Sequence, residues 1–170
     1  MKQRRSKRID GKASRQKAAI DKKHATRPES TNDSVMVLPV LDDKIVLTKE
    51  YRPLVSRWLW SMSAGTMEDG ESPAECARRE VEEEAGYVPG KLTPLFYSYM
   101  SPGRTRQRMH FFLAEELSKS KQKLEDDERI KVRTITLEKA VRMIKKNQIP
   151  NGPVIQLILF YNEFARNKSE

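Results

Sequence analysis

The stretch from Ala64 to Tyr87 constrains the fold of this chain more than any other part of the sequence. It combines glycine turns, a helix with clear end signals and eight carboxylates within 24 residues. Ser72 is a favoured N-cap residue, Pro73 suits the first helical position, and a glutamate three residues after Ser72 completes a capping box. Gly86 provides the left-handed residue that commonly ends a helix. The stretch therefore predicts a helix that begins at Pro73 and ends at Ala85.

The two faces of this helix carry different side chains. Glu80, Glu83 and Glu84 follow one another at helical spacing, while small apolar residues on the neighbouring face can pack against a sheet. Like charges at this spacing repel each other and destabilise a helix. A divalent cation would compensate for the repulsion, since Mg²⁺ prefers oxygen ligands and leaves room for water and substrate phosphates. A solvated acidic face is the alternative interpretation.

The glutamates belong to a longer pattern. Gly65 is followed after five residues by Glu71, and after seven more by the run from Arg79 to Tyr87, REVEEEAGY. This spacing resembles the Nudix box, the signature of Nudix hydrolases, at all seven fixed positions and both apolar positions. The resemblance implies a mixed β-sheet between helices, an α/β/α sandwich in which the box forms a loop, a helix and a second loop.

The same resemblance implies a metal site. Glu80 and Glu84 would be direct ligands, Glu83 would join them or hold a second ion, and the backbone carbonyl of Ala64 would contribute. The expected ion is Mg²⁺, with Mn²⁺ as the alternative. Glu83 and Glu84 are therefore also the first catalytic candidates.

Four further box residues have structural roles by the same resemblance. Arg79 would lie near Glu71 and the other glutamates, where its charge lowers the electrostatic cost of the cluster. Glu71 would organise the site rather than bind the ion. Gly65 and Gly86 would permit turn conformations that a side chain resists.

Composition and pattern outside the box predict one α+β domain. With 170 residues and 37% hydrophobic content, the chain can form one domain with a real core. Apolar alternation predicts a hairpin and three later strands, and helical spacing predicts two helices near the C-terminus. The predicted hairpin and strands are Val35–Leu41, Lys44–Lys49, Leu92–Met100, Met109–Ala114 and Arg129–Thr136, and the helices are Leu137–Lys146 and one that opens at Asn151 or Gly152.

The charge of the chain is concentrated at its N-terminus. Residues 1–27 carry 11 Lys or Arg against two Asp, whereas acidic and basic residues cancel in the rest. We therefore divide the chain into a basic extension, residues 1–32, and a Nudix hydrolase domain, residues 33–170. The extension has no aromatic residue for base stacking. It is expected to be flexible, to associate weakly with nucleic acids or to contribute to dimerisation.

The single cysteine excludes an intramolecular disulfide, which is typical of a reducing compartment. No apolar run approaches the roughly 18 residues that span a bilayer. We therefore expect a cytoplasmic protein without a membrane partner.

Three features outside the box resemble the ADP-ribose pyrophosphatase branch of the family. Pro102 stands 16 residues after Gly86 in the sequence Ser-Pro-Gly. Tyr51 and Arg52 resemble the end of a strand whose arginine contacts substrate. An acidic loop, residues 125–130 (EDDERI), resembles the segment that supplies a catalytic base, for which Glu128 is preferred and Asp126 follows.

The chain also departs from this branch. Many relatives carry Glu and Pro at the positions of Ser61 and Ser63, and that carboxylate often helps to position the substrate arginine. The loop after Pro102 has two extra cations, of which Arg104 is the first, and these favour additional phosphate charge.

The expected function is Mg²⁺-dependent hydrolysis of a nucleoside diphosphate sugar, with ADP-ribose cleaved to AMP and ribose 5-phosphate as the leading case. Dinucleoside polyphosphates and RNA caps are the alternative substrates. A binding module that retains the box as a nucleotide or RNA sensor is the alternative from another class. The resemblance to the branch implies a homodimer.

Overall fold

A computed structural model describes residues 33–125 and 128–166. The expected basic extension, residues 1–32, lies outside these residues. The described part forms strands and helices in this order: β1 Ser34–Leu41, β2 Lys44–Arg52, β3 Arg57–Ser61, β4 Ser63–Thr66, α1 Pro73–Glu80, β5 Tyr87–Tyr99, β6 Arg108–Lys119, β7 Ile130–Thr136, α2 Leu137–Lys145 and α3 Gly152–Phe160. A 3₁₀ turn follows β2 at Pro53–Val55, and single π-helical turns extend α1 over Val81–Ala85 and α3 over Tyr161–Ala165.

Strand β1 lies at the centre of a mixed sheet. It runs parallel to β6 and antiparallel to β4, and β5 pairs antiparallel with β6. The end of β1 turns through Asp42 and Asp43 into β2, which pairs with β3 on one edge and with β7 on the other. The predicted hairpin and the mixed sheet are therefore confirmed.

Side-chain alternation along β1 builds a core on each face of the sheet. Val35 and Val37 pack with buried residues of α1, among them Cys76 and Ala77. Met36 and the other β1 residues that point to its side of the sheet pack with residues of α2 and α3 on the opposite face. Since successive strand residues point to opposite faces, this strand, which is apolar from Val35 to Leu41, has to be covered by helices on both sides. The predicted α+β class and α/β/α sandwich are confirmed.

The predicted box helix begins where expected. Ser72 accepts a hydrogen bond from the backbone N–H of Glu75, and the Glu75 side chain accepts one from the Ser72 N–H, which completes the capping box. The last turn differs from the expected α-helix because residues 81–85 are π-helical. Such wider turns are frequent at functional sites. Gly86, with φ of 72°, ends the segment.

Three strands are longer than predicted. β2 continues to Arg52 rather than ending at Lys49. β5 begins at Tyr87 rather than Leu92, and β6 continues to Lys119 rather than ending at Ala114. Pro89 and Gly90 obscured the start of β5, because both residue types are unfavourable in strands. Cross-strand pairing with the end of β6 overrides that local preference. In the described part of the chain, no helix is long and apolar enough to cross a membrane.

Replacing Gly86 with alanine tests the left-handed turn after the box helix. An added Cβ would lie 3.3 Å from the backbone nitrogen of Gln122 and 3.3 Å from the backbone carbonyl oxygen of Ser120. The φ angle of Gly86 is also positive. We expect Gly86→Ala to lower the free energy of unfolding by about 1–2 kcal/mol in urea titration. Gly103→Ala is the matched control, since a Cβ there meets no atom within 4 Å. Equal effects of the two changes would contradict this interpretation.

Candidate active site

Arg79 lies at the centre of an ion-pair network on α1. Its Nε and Nη2 donate to the two oxygens of Glu71, at 2.9 and 3.2 Å. Its Nη1 donates to Glu80 Oε1 at 2.8 Å and to Glu83 Oε2 at 3.1 Å. The Glu71 pair is bidentate, the strong geometry for arginine and carboxylate. Hydrogen bonds from Arg79 hold the pKa of Glu71 at about 2. One guanidinium thus donates hydrogen bonds to three carboxylates.

Glu80 is buried against the backbone of β4. A Cβ added to Gly65 would overlap the Glu80 carboxylate, so only glycine permits this approach. Burial raises the pKa of Glu80 to about 7, although Arg79 opposes the shift. The predicted turn at Gly65 is wrong, because Gly65 lies within β4 and its φ is not positive. Glycine is needed at position 65 for packing against Glu80.

Glu84 is the most deeply buried carboxylate of the site, with 4% of its surface exposed. Its Oε2 accepts a hydrogen bond from the Ala64 backbone N–H at 2.9 Å. Burial, together with the negative charges of Glu80, Glu50 and Glu128, raises the pKa of Glu84 to about 9. The folded chain thus brings the Ala64 N–H, and not the carbonyl named as a metal ligand, to Glu84. The role of the carbonyl stays a prediction.

Glu50 is a site residue that sequence reasoning missed. It lies in β2, is buried, and forms an ion pair with Arg52, from Oε2 to Nη2, at 2.6 Å. Burial raises the pKa of Glu50, as does the charge of Glu128. The predicted strand ended at Lys49, one residue before Glu50. Glu50 continues the alternate positions of Val46 and Thr48, which are buried in β2. This alternation was the signal that could have extended the strand to Glu50.

The acidic loop approaches the glutamates because β7 pairs with β2. The pairing ends with Glu50 opposite Ile130, and the Tyr51 N–H donates to the Arg129 carbonyl at 3.2 Å. Glu128 accepts a hydrogen bond from the Glu125 N–H at 3.0 Å. Its charge acts on Glu50 and on both buried glutamates of the box. The second base candidate, Asp126, lies outside the described residues.

The expected substrate contacts are spread over the fold. Tyr51 lies next to Arg52 in β2 and therefore points to the opposite face. There its ring meets the Trp58 ring edge to face, with centroids 5.9 Å apart. Pro102 and Arg104 occupy an exposed turn in which the Arg104 N–H donates to the Ser101 carbonyl at 2.8 Å. In the described residues, no hydrogen bond or ion pair joins these two to the glutamates.

The donor set suits a hard cation, although the side chains bind each other instead. Within residues 33–125 and 128–166, no three His, Cys, Asp or Glu side chains are arranged to hold a metal ion as they stand. The reason is local, since Arg79 engages Glu80 and Glu83 while the Ala64 N–H engages Glu84. Carboxylates are nevertheless the oxygen ligands that a divalent cation favours.

The fold and the site together are a mixed sheet between helices, with buried glutamates beside an arginine on the first helix. Residues 30–158 match the family model described as NUDIX domain. The match covers more than half of the chain, so the protein belongs to the Nudix family. The resemblance seen in the box is confirmed.

Two relatives extend the comparison. An ADP-ribose pyrophosphatase from Bacillus subtilis (strain 168) is 40% identical over 119 residues, 68% of this chain and 64% of the relative. A GDP-mannose pyrophosphatase from Pectobacterium atrosepticum is 36% identical over 123 residues, 67% of this chain and 63% of the relative. The chain therefore spans somewhat less than two thirds of the length of these relatives.

A solved structure supports the fold. A crystal structure described as ADP compounds hydrolase superposes with a TM-score of 0.76 at 22% identity. The superposition covers 83% of this chain and 76% of the other. At this identity the likeness shows that the two chains share the Nudix fold.

The raised pKa of Glu84 predicts how the stability of the protein in chelator depends on pH. The folded chain keeps this proton up to about pH 9, whereas the unfolded chain releases it near the ordinary value of about 4.3. Between these values the unfolded chain binds fewer protons. The contribution of Glu84 to the free energy of unfolding therefore falls as pH rises, by at most about 1.4 kcal/mol per unit.

Urea unfolding at several pH values between 6 and 8.5 measures this contribution. We expect Glu84→Gln to gain stability relative to the unaltered protein as pH rises. Glu138→Gln, which breaks a surface ion pair with Arg166, is the control and should show no such gain. Parallel pH profiles for the unaltered protein and Glu84→Gln would contradict the assignment.

Proposed function

We propose that this protein is a divalent-cation-dependent pyrophosphatase that cleaves nucleoside diphosphate sugars. The leading substrate is ADP-ribose, which would give AMP and ribose 5-phosphate. The observation that carries the proposal is the pair of buried carboxylates, Glu80 and Glu84, held against the backbone at Gly65 and Ala64. The names of the two relatives support the reaction and the substrate class.

Four groups would hold the cation. They are the carboxylates of Glu80, Glu83 and Glu84 and the backbone carbonyl of Ala64, with Mg²⁺ as the expected ion and Mn²⁺ as the alternative. A bound cation neutralises phosphate charge and lowers the pKa of a bound water. Arg79 supports the cluster before the ion binds, because it keeps three carboxylates close together at low electrostatic cost.

The acidic loop would supply the general base. Glu128 lies near enough to the buried glutamates for its charge to act on them, and the fold brings its loop to the same edge of β2. A carboxylate there can accept the proton of an attacking water. Asp126 remains the second candidate for this role.

Arginines would bind the diphosphate. Arg52 has 48% of its side chain exposed, and its nearest contact with Glu50 is made by Nη2. Its remaining N–H donors can reach phosphate oxygens, which guanidinium groups bind well. Arg104 in the exposed loop after Pro102 would add a second positive charge. Tyr51 would contact the substrate only from the opposite face of β2.

We extend the proposal to a homodimer on the strength of the resemblance. Leu54 and Val55 lie fully or half exposed at the turn between β2 and β3 and offer an apolar contact. Weak association of residues 1–32 with nucleic acids is a separate proposal, which the charge of that extension supports.

Replacing Glu84 with glutamine tests the reaction. AMP release from ADP-ribose should require Mg²⁺ and should fall at least about 100-fold in Glu84→Gln, because an amide cannot replace the carboxylate that would bind the cation. Glu82→Gln is the matched control on the same segment, since the Glu82 carboxylate binds Lys123 and Ser120 instead. Its activity should stay within about threefold of the unaltered protein.

The same assay distinguishes substrates and classes of function. GDP-mannose, a dinucleoside polyphosphate and capped RNA are compared with ADP-ribose at equal concentration. A preference for another of these compounds would support the proposed hydrolase activity and would identify a different substrate. Absence of cleavage in all of them, with nucleotide binding retained, would favour the binding module.

A further inference from the structure

We propose that Glu50 positions Arg52 for the substrate diphosphate, a role that the neighbouring strand position, Ser61, does not fill in this chain. Glu50 would thus be a positioning residue on β2, acting through Arg52 rather than on the reacting atoms. The inference rests on the proposed function, since it assigns a role within the same site.

The ion pair itself supports the assignment. Glu50 Oε2 and Arg52 Nη2 lie 2.6 Å apart, with 12% of the Glu50 side chain and 48% of the Arg52 side chain exposed. Residues two apart in a strand share one face, so the pair forms without any distortion of β2. The buried carboxylate holds one side of the guanidinium while the other donors remain directed to solvent. An arginine held in this way loses less conformational freedom when it binds phosphate.

The register of β2 and β3 connects Glu50 with position 61. Thr48 lies opposite Ser61, and Glu50 lies opposite Leu59. Glu50 and Ser61 are therefore diagonal neighbours on the same face, a separation of roughly 7–8 Å that long side chains can bridge. A carboxylate at either position can reach the same part of the surface.

Ser61 cannot perform this role in the present chain. Its side chain is buried and uncharged, and its hydroxyl donates to the Met62 carbonyl at 3.3 Å. Arg52 pairs with the carboxylate on β2 instead.

A carboxylate at position 50 is otherwise unfavourable. It is buried, and the negative charge of Glu128 acts on it. Burying a second negative charge there costs stability unless a cation accompanies it. Arg52 is the cation that accompanies Glu50. The ion pair therefore explains the carboxylate at position 50, which packing alone does not explain.

Replacing Glu50 with glutamine removes the charge while keeping the volume. We expect the KM for ADP-ribose to rise about tenfold and kcat to change less than about threefold, because Arg52 binds phosphate in the ground state and the transition state alike. The affinity for the non-hydrolysable analogue α,β-methylene-ADP-ribose, measured by calorimetry, should fall by a similar factor. Glu115→Gln is the matched control, since it breaks the Lys91–Glu115 pair of 2.9 Å elsewhere on the sheet.

Two further variants separate positioning from a merely structural role. Adding Ser61→Glu to Glu50→Gln should return KM to within about threefold of the unaltered protein. In an Arg52→Ala background, Glu50→Gln should cause no further rise in KM, because the residue it positions is absent. This second comparison decides the matter even if the buried Ser61→Glu change prevents folding.

The outcomes separate this inference from the proposed function. A normal KM in Glu50→Gln, or the same tenfold rise in the Arg52→Ala background, would overturn the positioning role while leaving the hydrolase intact. If the unaltered protein neither cleaves nor binds any of the nucleotides, the proposed function fails first and this inference fails with it.

Discussion

The ion pairs of Arg79 are the interaction on which the rest of the candidate site depends. Glu71, Glu80 and Glu83 all bind one guanidinium. Without that charge, the repulsion among glutamates spaced one turn apart would act in a partly buried environment, where it is stronger than in water. Arg79 therefore allows an acidic helix to pack against a sheet. The same neutralisation keeps the carboxylates close enough together to bind a cation.

The sheet determines what the helix meets. β1 is buried on both faces, so α1 covers one face while α2 and α3 cover the other. β4 pairs with β1 beside α1 and brings Ala64 and Gly65 against the buried glutamates. β7 then places the acidic loop beside β2. Elements distant in sequence therefore supply one site because all of them are anchored on β1 and β2.

Much of this arrangement could be predicted from local signals. The capping box, the end of the box helix at Gly86, the β1–β2 hairpin and the α+β class all followed from spacing and turn chemistry. The errors arose where distant pairing overrides local preference, as in the early start of β5 at Tyr87. Glu50 was missed because its importance depends on the length of β2 and on burial, neither of which a short charged segment reveals.

The sequence by itself determined which groups are available to the site: three glutamates at helical spacing, an arginine beside them and glycines at both ends of the box. These follow from short-range rules, since caps, turns and helical spacing involve residues only a few positions apart. Only the tertiary structure decided that Glu50 and Arg52 face the same side, that Tyr51 faces away from them, and that Glu84 meets the Ala64 N–H. Strand register and burial decide such contacts, because a shift of one residue would reverse every side chain.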